Sequence, residues 1–251
     1  MRIVGNGLIA RSLSPYATQH GRVVTFASGV SDSSCTNDRD FERERRMLNE
    51  TLAEASSRGE TIVYFSGAGA LYGHWEHPAL ESELPQPQTA YGRHQLACEG
   101  MVATSRVPHL IVRLPNVVAS AANPRQLVPN LVGQVLAGRV QVHGRARRDL
   151  VDARDMARVV SELLDLASGR GTVNVASGHS VPVTAIVSET CVILGIDASI
   201  EIVDVGTPQQ FDTSRLQGIL GRDPFPDPGY YREVLRRHVP GLAEELAHAG
   251  L

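Results

Sequence analysis

The chain has 251 residues, of which 42% are hydrophobic and 20% charged, enough to bury one substantial core without disulfide or metal staples. A formal net charge of −3 and an aromatic content of 5% leave no basic footprint and few stacking platforms, which argues against nucleic acid as a partner. No apolar run approaches the roughly 20 residues of a membrane span, and the start MRIVGNGLIARS has no basic leader before a long apolar stretch, so cytoplasmic residence is expected.

The opening RIV reads as a short strand, followed by the turn GNGLIA and a helix start. RVVTFAS, residues 22–28, is a second strand rich in β-branched residues. Residues 40–58 form a helix whose apolar positions Met47, Leu48, Leu52 and Ala55 share one face, ended by Gly59. TIVYFSG, 61–67, is apolar and short enough for a buried parallel strand. A helix follows from residue 90, with Thr89 placed as its N-cap. HLIVRLPNVV, 109–118, is a strand that should leave the sheet at Pro115. Helices near 127–137, 152–168 and 182–194, a strand at 171–177 and a Pro-rich loop at 221–229 complete the chain. This alternation predicts an α/β fold, a Rossmann-like doubly wound parallel sheet. Cys35, Cys98 and Cys191 lie far apart and match no metal-ligand spacing, so no metal is expected and they read as small buried hydrophobes in a reducing compartment.

Gly5, Gly7 and Ala10 make G-x-G-x-x-A directly after the first strand. Glycines there let the backbone approach a pyrophosphate at a helix N-terminus. The bland alternative is a tight strand–helix turn that binds nothing. The acidic residue that normally receives the adenosine ribose should end the next strand, but that strand ends FASGVSDSS, and Asp32 lies four residues beyond Ser28.

The ordered set VVTFASGVSDS, YFSGAGALYG, ESELPQPQTAYGRHQ, VRLPNVVAS, VHGRARRDLVDARDMA and GTVNVASGHSVPV resembles the extended short-chain dehydrogenase/reductases of the NAD-dependent epimerase/dehydratase family. The resemblance covers nearly the whole chain. It implies a cofactor-binding core, roughly 1–115 plus 150–177, and a small substrate-binding lobe formed by 116–149 and 178–251. It also exposes a deletion. FAS is normally the fourth strand of such proteins, and here only SPYATQHG separates it from the first helix. The second and third strand units are missing, and with them the wall of the adenosine pocket.

By resemblance, NAD or NADP would be held by Gly5, Asn6, Gly7, Leu8, Ile9 and Arg11, by Ala27 and Ser28, by Tyr91 and Gln95, and by Pro115. Arg11 leans toward the 2′-phosphate of NADP, or is a plain surface arginine. The family's reaction uses Tyr-x-x-x-Lys on a helix and a hydroxyl after the preceding strand. Tyr91 takes the tyrosine position, Gln95 replaces the lysine, and Ala68 stands where the hydroxyl belongs. Ser66 shares the strand face two residues earlier. His94 is the nearest titratable substitute for the lysine, or else is simply exposed. A tyrosine without its lysine keeps a pKa near 10 and stays protonated at neutral pH, which suits a proton donor in ketone reduction better than a base in alcohol oxidation.

On the substrate side, Asn116 and Arg148 match family positions near a nucleotide-sugar diphosphate, with Arg145 and Arg147 adding charge. A local Arg148–Asp149 ion pair is the alternative. Ala68, His74 and Trp75 would border the sugar, although Trp75 equally suits core packing. The expected function is an NAD(P)H-dependent ketoreductase of a nucleotide-activated keto-sugar, such as a 4-keto-6-deoxyhexose. Alternatives are an epimerase/dehydratase, a natural-product ketoreductase, or an inactive nucleotide-binding protein. The resemblance also implies a homodimer through the helices near 40–58 and 90–106.

Overall fold

A computed structural model of the chain describes residues 1–73, 77–120, 123–166 and 170–248. The central sheet has five parallel strands in the order β1 (Arg2–Val4), β2 (Val23–Phe26), β3 (Thr61–Gly67), β4 (His109–Leu114) and then β9 (Gly171–Asn174). β1 is therefore an edge strand, as expected if the neighbouring strand units are missing. Between β1 and β2 runs α1 (Leu8–Leu13). α2 (Asp38–Arg58) starts on the Asn37 side chain, which accepts from the Arg39 N–H, and stops at Gly59 in the left-handed region. α3 (Ala68–Tyr72) caps β3, and α4 (Ala90–Thr104) begins where Thr89 accepts from the Gly92 N–H at 3.0 Å.

Side chains sort the two faces of the sheet. Val63, Leu110 and Val112 pack with Leu13 of α1 and with Met156, Val159 and Val160 of α6 (Ala153–Asp165). Ile62, Tyr64 and Ile111 pack instead with Leu48, Leu52 and Ala55 of α2 and with Cys98 and Val102 of α4. The steps β1 to β2 and β2 to β3 run the same way across the sheet, yet α1 and α2 lie on opposite faces, so the two connections have opposite hands. Parallel crossovers are right-handed in nearly all proteins. The β3–α4–β4 step agrees in hand with β2–α2–β3, whereas the step from β4 to β9, which returns through α6 on the face of α1, agrees with β1–α1–β2.

At Pro115 the chain leaves the sheet, as expected. β5 (Asn116–Val118) pairs in parallel with β8 (Leu150–Asp152), and α5 (Leu127–Leu136) lies between β5 and β6 (Arg139–His143). β7 (Arg147–Arg148) pairs antiparallel with β10 (Val181–Pro182), and α7 (Val183–Leu194) leads to β11 (Ser199–Val203), which pairs with β6. α8 (Ser214–Leu220) and α9 (Tyr230–His248) close the chain, with the expected Pro-rich loop between them. α9 is pinned to the end of β8 by Asp152, which accepts from Arg237 Nη1 at 2.7 Å and His238 Nε2 at 2.8 Å. One apolar cluster runs from Val63 of the central sheet to Leu242 of α9, so these outer elements share the core of the sheet. No described helix is long and apolar enough to cross a membrane.

Candidate active site

The glycine turn joins β1 to α1 at the carboxyl end of the sheet. Gly5 has φ +124°, and a Cβ there would lie 2.4 Å from the Ala27 carbonyl oxygen. Only glycine lets the two chains pass so closely. Gly7 is the N-cap of α1, and a Cβ on it would meet nothing within 4 Å. Gly5, Asn6 and Gly7 are exposed, Leu8, Ile9, Ala27 and Ser28 half-buried, so the turn offers an uncovered backbone surface. Arg11 folds back onto it, its Nη1 donating to the Asn6 carbonyl at 3.2 Å. These residues fit a pyrophosphate. On the far side of β1 the sheet ends, and among the described residues no strand supplies an adenosine wall.

Tyr91 stands in the first turn of α4, facing the end of β3. Its ring and hydroxyl lie over Gly67, where a Cβ would come within 3.2 Å of the hydroxyl and 3.3 Å of the ring. Burial pushes the phenol well above the ordinary tyrosine range, and the nearby carboxylates of Glu44 and Asp32 push it further. The hydroxyl is therefore a held proton, opposite in electrostatic setting to a tyrosine beside lysine.

Gln95 and His94 are placed differently from expectation. Gln95 is 2% exposed, and its amide oxygen lies 3.3 Å from the Tyr64 hydroxyl, so the carbonyl end turns into the protein rather than toward a cofactor ribose. His94 is 4% exposed and is neither a lysine substitute at Tyr91 nor a solvated side chain. At i+3 from Tyr91 it points to α2, where Nε2 sits 2.9 Å from Glu44 Oε2 and the ring stacks on Phe41 at 4.4 Å between centroids. Glu44 also accepts from the Val30 N–H at 2.7 Å and from the Tyr64 hydroxyl at 3.2 Å. Cys98 completes this buried group, its sulfur 3.7 Å from His94 Nε2 and its thiol pushed up to about 12 by burial and by Glu44. Sequence reading missed Glu44. The available signal was a carboxylate on the apolar stripe of α2, between Phe41 and Leu48.

Ser66 is 3% exposed, and its hydroxyl is buried without a hydrogen-bond partner at the carboxyl end of β3. An orphaned hydroxyl one residue before Gly67, over which Tyr91 lies, is a position that a bound group would satisfy. Ala68 is 1% exposed and packs with Tyr72, Ala79, Ala176 and Phe211, so the family's hydroxyl position is here part of an apolar cluster. Pro115 is half-buried where β4 gives way to β5. Tyr72 is held by a second network missing from the sequence reading. Glu99 accepts from Arg113 Nε and Nη2 at 3.0 and 2.7 Å, Arg113 Nη1 donates to the Tyr72 hydroxyl at 2.8 Å, and that hydroxyl donates to Asn174 Oδ1 at 2.7 Å.

Asn116 donates from Nδ2 to the Asp149 carbonyl at 3.1 Å, so its amide is partly used in bracing β5 against β8. The Arg148–Asp149 ion pair does not form. Asp149 is fully buried and accepts from the Ser177 N–H and hydroxyl and the Gly178 N–H, while burial raises its carboxyl to about 6. Arg148 donates only to carbonyls, of Arg147 and Thr207, each at 2.8 Å, and no described carboxylate faces it. Burial lowers its pKa. A half-buried cation without an anion suits an anionic ligand. Arg147 donates to the Ser180 carbonyl and leaves Nε buried without a partner, whereas Arg145 pairs with Asp204 at the surface. His74 and Trp75 lie outside the described residues.

The profile described as the NAD dependent epimerase/dehydratase family matches residues 6–176, more than half of the chain. The chain belongs to this family. No curated protein sequence matches it. Among solved structures it is similar to UDP-glucose 4-epimerase from Thermotoga maritima with UDP-glucose, at TM-score 0.77 and 17% identity, covering 96% of this chain and 84% of that one. RMD from Pseudomonas aeruginosa complexed with NADPH superposes at TM-score 0.75 with 19% identity, covering 96% and 88% of the two chains. UDP-glucose 4-epimerase from Thermus thermophilus in complex with NAD gives TM-score 0.76 and 18% identity, over 94% and 83%. At such identities the likeness shows the fold, and this epimerase/dehydratase-family member keeps it with a shortened sheet.

Proposed function

We propose that this family member is an NAD(P)H-dependent reductase of a keto group on a nucleotide-activated sugar. The observation that carries the reading is Tyr91, held protonated by burial and by Glu44 where the family pattern places a lysine cation. A phenol so placed is a poor base and a serviceable acid. The nicotinamide cofactor, when bound, supplies hydride to the carbonyl carbon. Tyr91 then gives its proton to the carbonyl oxygen as charge develops there, the Gly5–Leu8 turn holds the pyrophosphate, and Arg148 meets the substrate diphosphate. Ser66 donates its unpaired hydroxyl hydrogen into the same site. The cofactor side comprises 1–115 and 150–177, the substrate side the remainder, and Arg11 favours NADP. The edge position of β1 supports a cofactor exchanged at every turnover. The protein is proposed to be cytoplasmic and to dimerise through the groove of about 430 Å³ lined by Asn49, Leu52 and Ser56 of α2 and Met101 and Thr104 of α4.

Mixing the protein with NADPH or NADH and a panel of keto-sugar nucleotides tests the reading, since reduction consumes the dinucleotide's near-ultraviolet absorbance. No loss of absorbance with any of them refutes it. An epimerase or dehydratase is the second reading, favoured by the solved neighbours. It requires a cofactor retained through purification, which denaturing the protein and chromatographing the supernatant reveals.

A further inference from the structure

We propose that Glu44, His94 and Cys98 form a buried site for a zinc-class divalent metal between α2 and α4. Their donor atoms all lie within 4.8 Å of one another, and the three residues are 0%, 4% and 0% exposed. His94 and Cys98 are four apart on α4, so both project from one helix face toward Glu44 on α2. A tetrahedral ion bound at about 2.0 Å to nitrogen and oxygen and about 2.3 Å to sulfur holds its donors roughly 3.3–3.6 Å apart. His94 Nε2 and Cys98 Sγ are 3.7 Å apart and the 2.9 Å between His94 Nε2 and Glu44 Oε2 needs to open a few tenths of an ångström, while the imidazole has to swing so that Nε2 aims between them, since Sγ lies almost as near Nδ1, at 3.9 Å.

Charge and ligand type point the same way. One carboxylate and one thiolate neutralise a divalent ion, and a thiolate with an imidazole selects zinc-class metals over magnesium or calcium. Phe41 stacks on His94 and fixes the imidazole plane, while Tyr64 donates to the second oxygen of Glu44, as outer partners of metal carboxylates do. Arg45 Nη1 lies 3.5 Å from His94 Nδ1 and has to turn outward, since Nδ1 carries a hydrogen once Nε2 takes the metal. The bound ion and its two anionic ligands carry no net charge, so the site does not replace the family's lysine cation and does not rest on the reductase reading.

The test uses the whole protein, loaded with zinc or cobalt(II) and freed of excess metal by gel filtration. One equivalent of zinc is expected, and with cobalt a thiolate-to-metal charge-transfer band and tetrahedral visible bands. Cys98→Ser should abolish the charge-transfer band, while Cys35→Ser and Cys191→Ser keep it. Wild-type protein that retains less than a tenth of an equivalent overturns the site, as does a band that survives Cys98→Ser or vanishes with Cys35→Ser. If Cys98→Ser does not fold, zinc-edge X-ray absorption of the wild type decides. One sulfur with nitrogen and oxygen neighbours supports the site, and a shell without sulfur overturns it.

Discussion

Glu99→Ala leaves the Arg113 guanidinium, 4% exposed, without the carboxylate that takes two of its N–H groups. Removing one partner of a buried ion pair costs about 3–5 kcal/mol, mostly as the penalty on the stranded charge. Unfolding entropy of about 2.1 cal/mol/K per residue gives roughly 0.5 kcal/mol/K for a chain of this length, so Tm should fall by about 6–10 °C. Glu99→Gln keeps one acceptor and the volume, and should lose about half as much. Replacing both residues, as Glu99→Met with Arg113→Met, removes the unpaired charge and should recover much of the loss, giving a coupling of about 2 kcal/mol or more in the double-mutant cycle. Urea unfolding at neutral pH, followed by circular dichroism, measures every variant of the set. A Glu99→Ala loss under about 1 kcal/mol, or single losses that simply add, would refute the claim that this pair holds Arg113 and through it Tyr72 beneath the β3–α3 turn.

Gly5→Ala forces a side chain into the left-handed region and against the Ala27 carbonyl, and should cost about 2–4 kcal/mol in urea unfolding. Gly7→Ala has open space and an ordinary φ of −73°, so it should leave stability within about 1 kcal/mol yet weaken NADPH binding at least tenfold by calorimetry; unchanged affinity would remove the turn from the cofactor site. Gln95→Lys introduces a cation on the Tyr91 face of α4. A unit charge roughly 6 Å away at an effective dielectric near 20 is worth about 3 kcal/mol, or roughly two pK units downward for the phenol. Alcohol oxidation at neutral pH should then gain more than ketone reduction, and equal gains contradict the assigned role of the tyrosine. Asp149, raised to about 6 against about 3.9 when unfolded, makes folding most favourable below pH 4 and less so as pH climbs through 6, by about 3 kcal/mol. Asp149→Asn should abolish that slope in unfolding curves taken from pH 4 to 7, and a slope that persists assigns it elsewhere.

The elements of the sheet and its helices were legible because their signals are local. Thr89 and Gly59 mark a helix start and stop by their own backbone requirements, and the apolar runs 61–67 and 109–114 suit strands buried on both faces. The glycine turn was legible for the same reason, since Gly5 answers to one backbone conformation. His94 and Gln95 were misjudged, and the alternative of an Arg148–Asp149 ion pair failed, because these roles depend on what another element brings to them. Spacing put Gln95 and Tyr91 on one helix face, but the length of the amide and the hydroxyl of Tyr64 decided that it turned inward. His94 met a carboxylate 50 positions earlier in the chain, and Asp149 chose the backbone of Ser177 and Gly178 over the adjacent Arg148.

From sequence alone came the parallel α/β fold, the family pattern, the missing strand units and the substitution of the lysine partner of Tyr91. Each is written in residue order, in the periodicity of apolar positions or in a motif whose parts are neighbours along the chain. Only the tertiary structure decided that the first strand lies at the edge of the sheet, that α1 and α2 cover opposite faces, and that a carboxylate, an imidazole and a thiol gather beneath Tyr91. That last group arises where α2 and α4 pack on one face of the sheet, and burial there turns ordinary side chains into partners that no local pattern records.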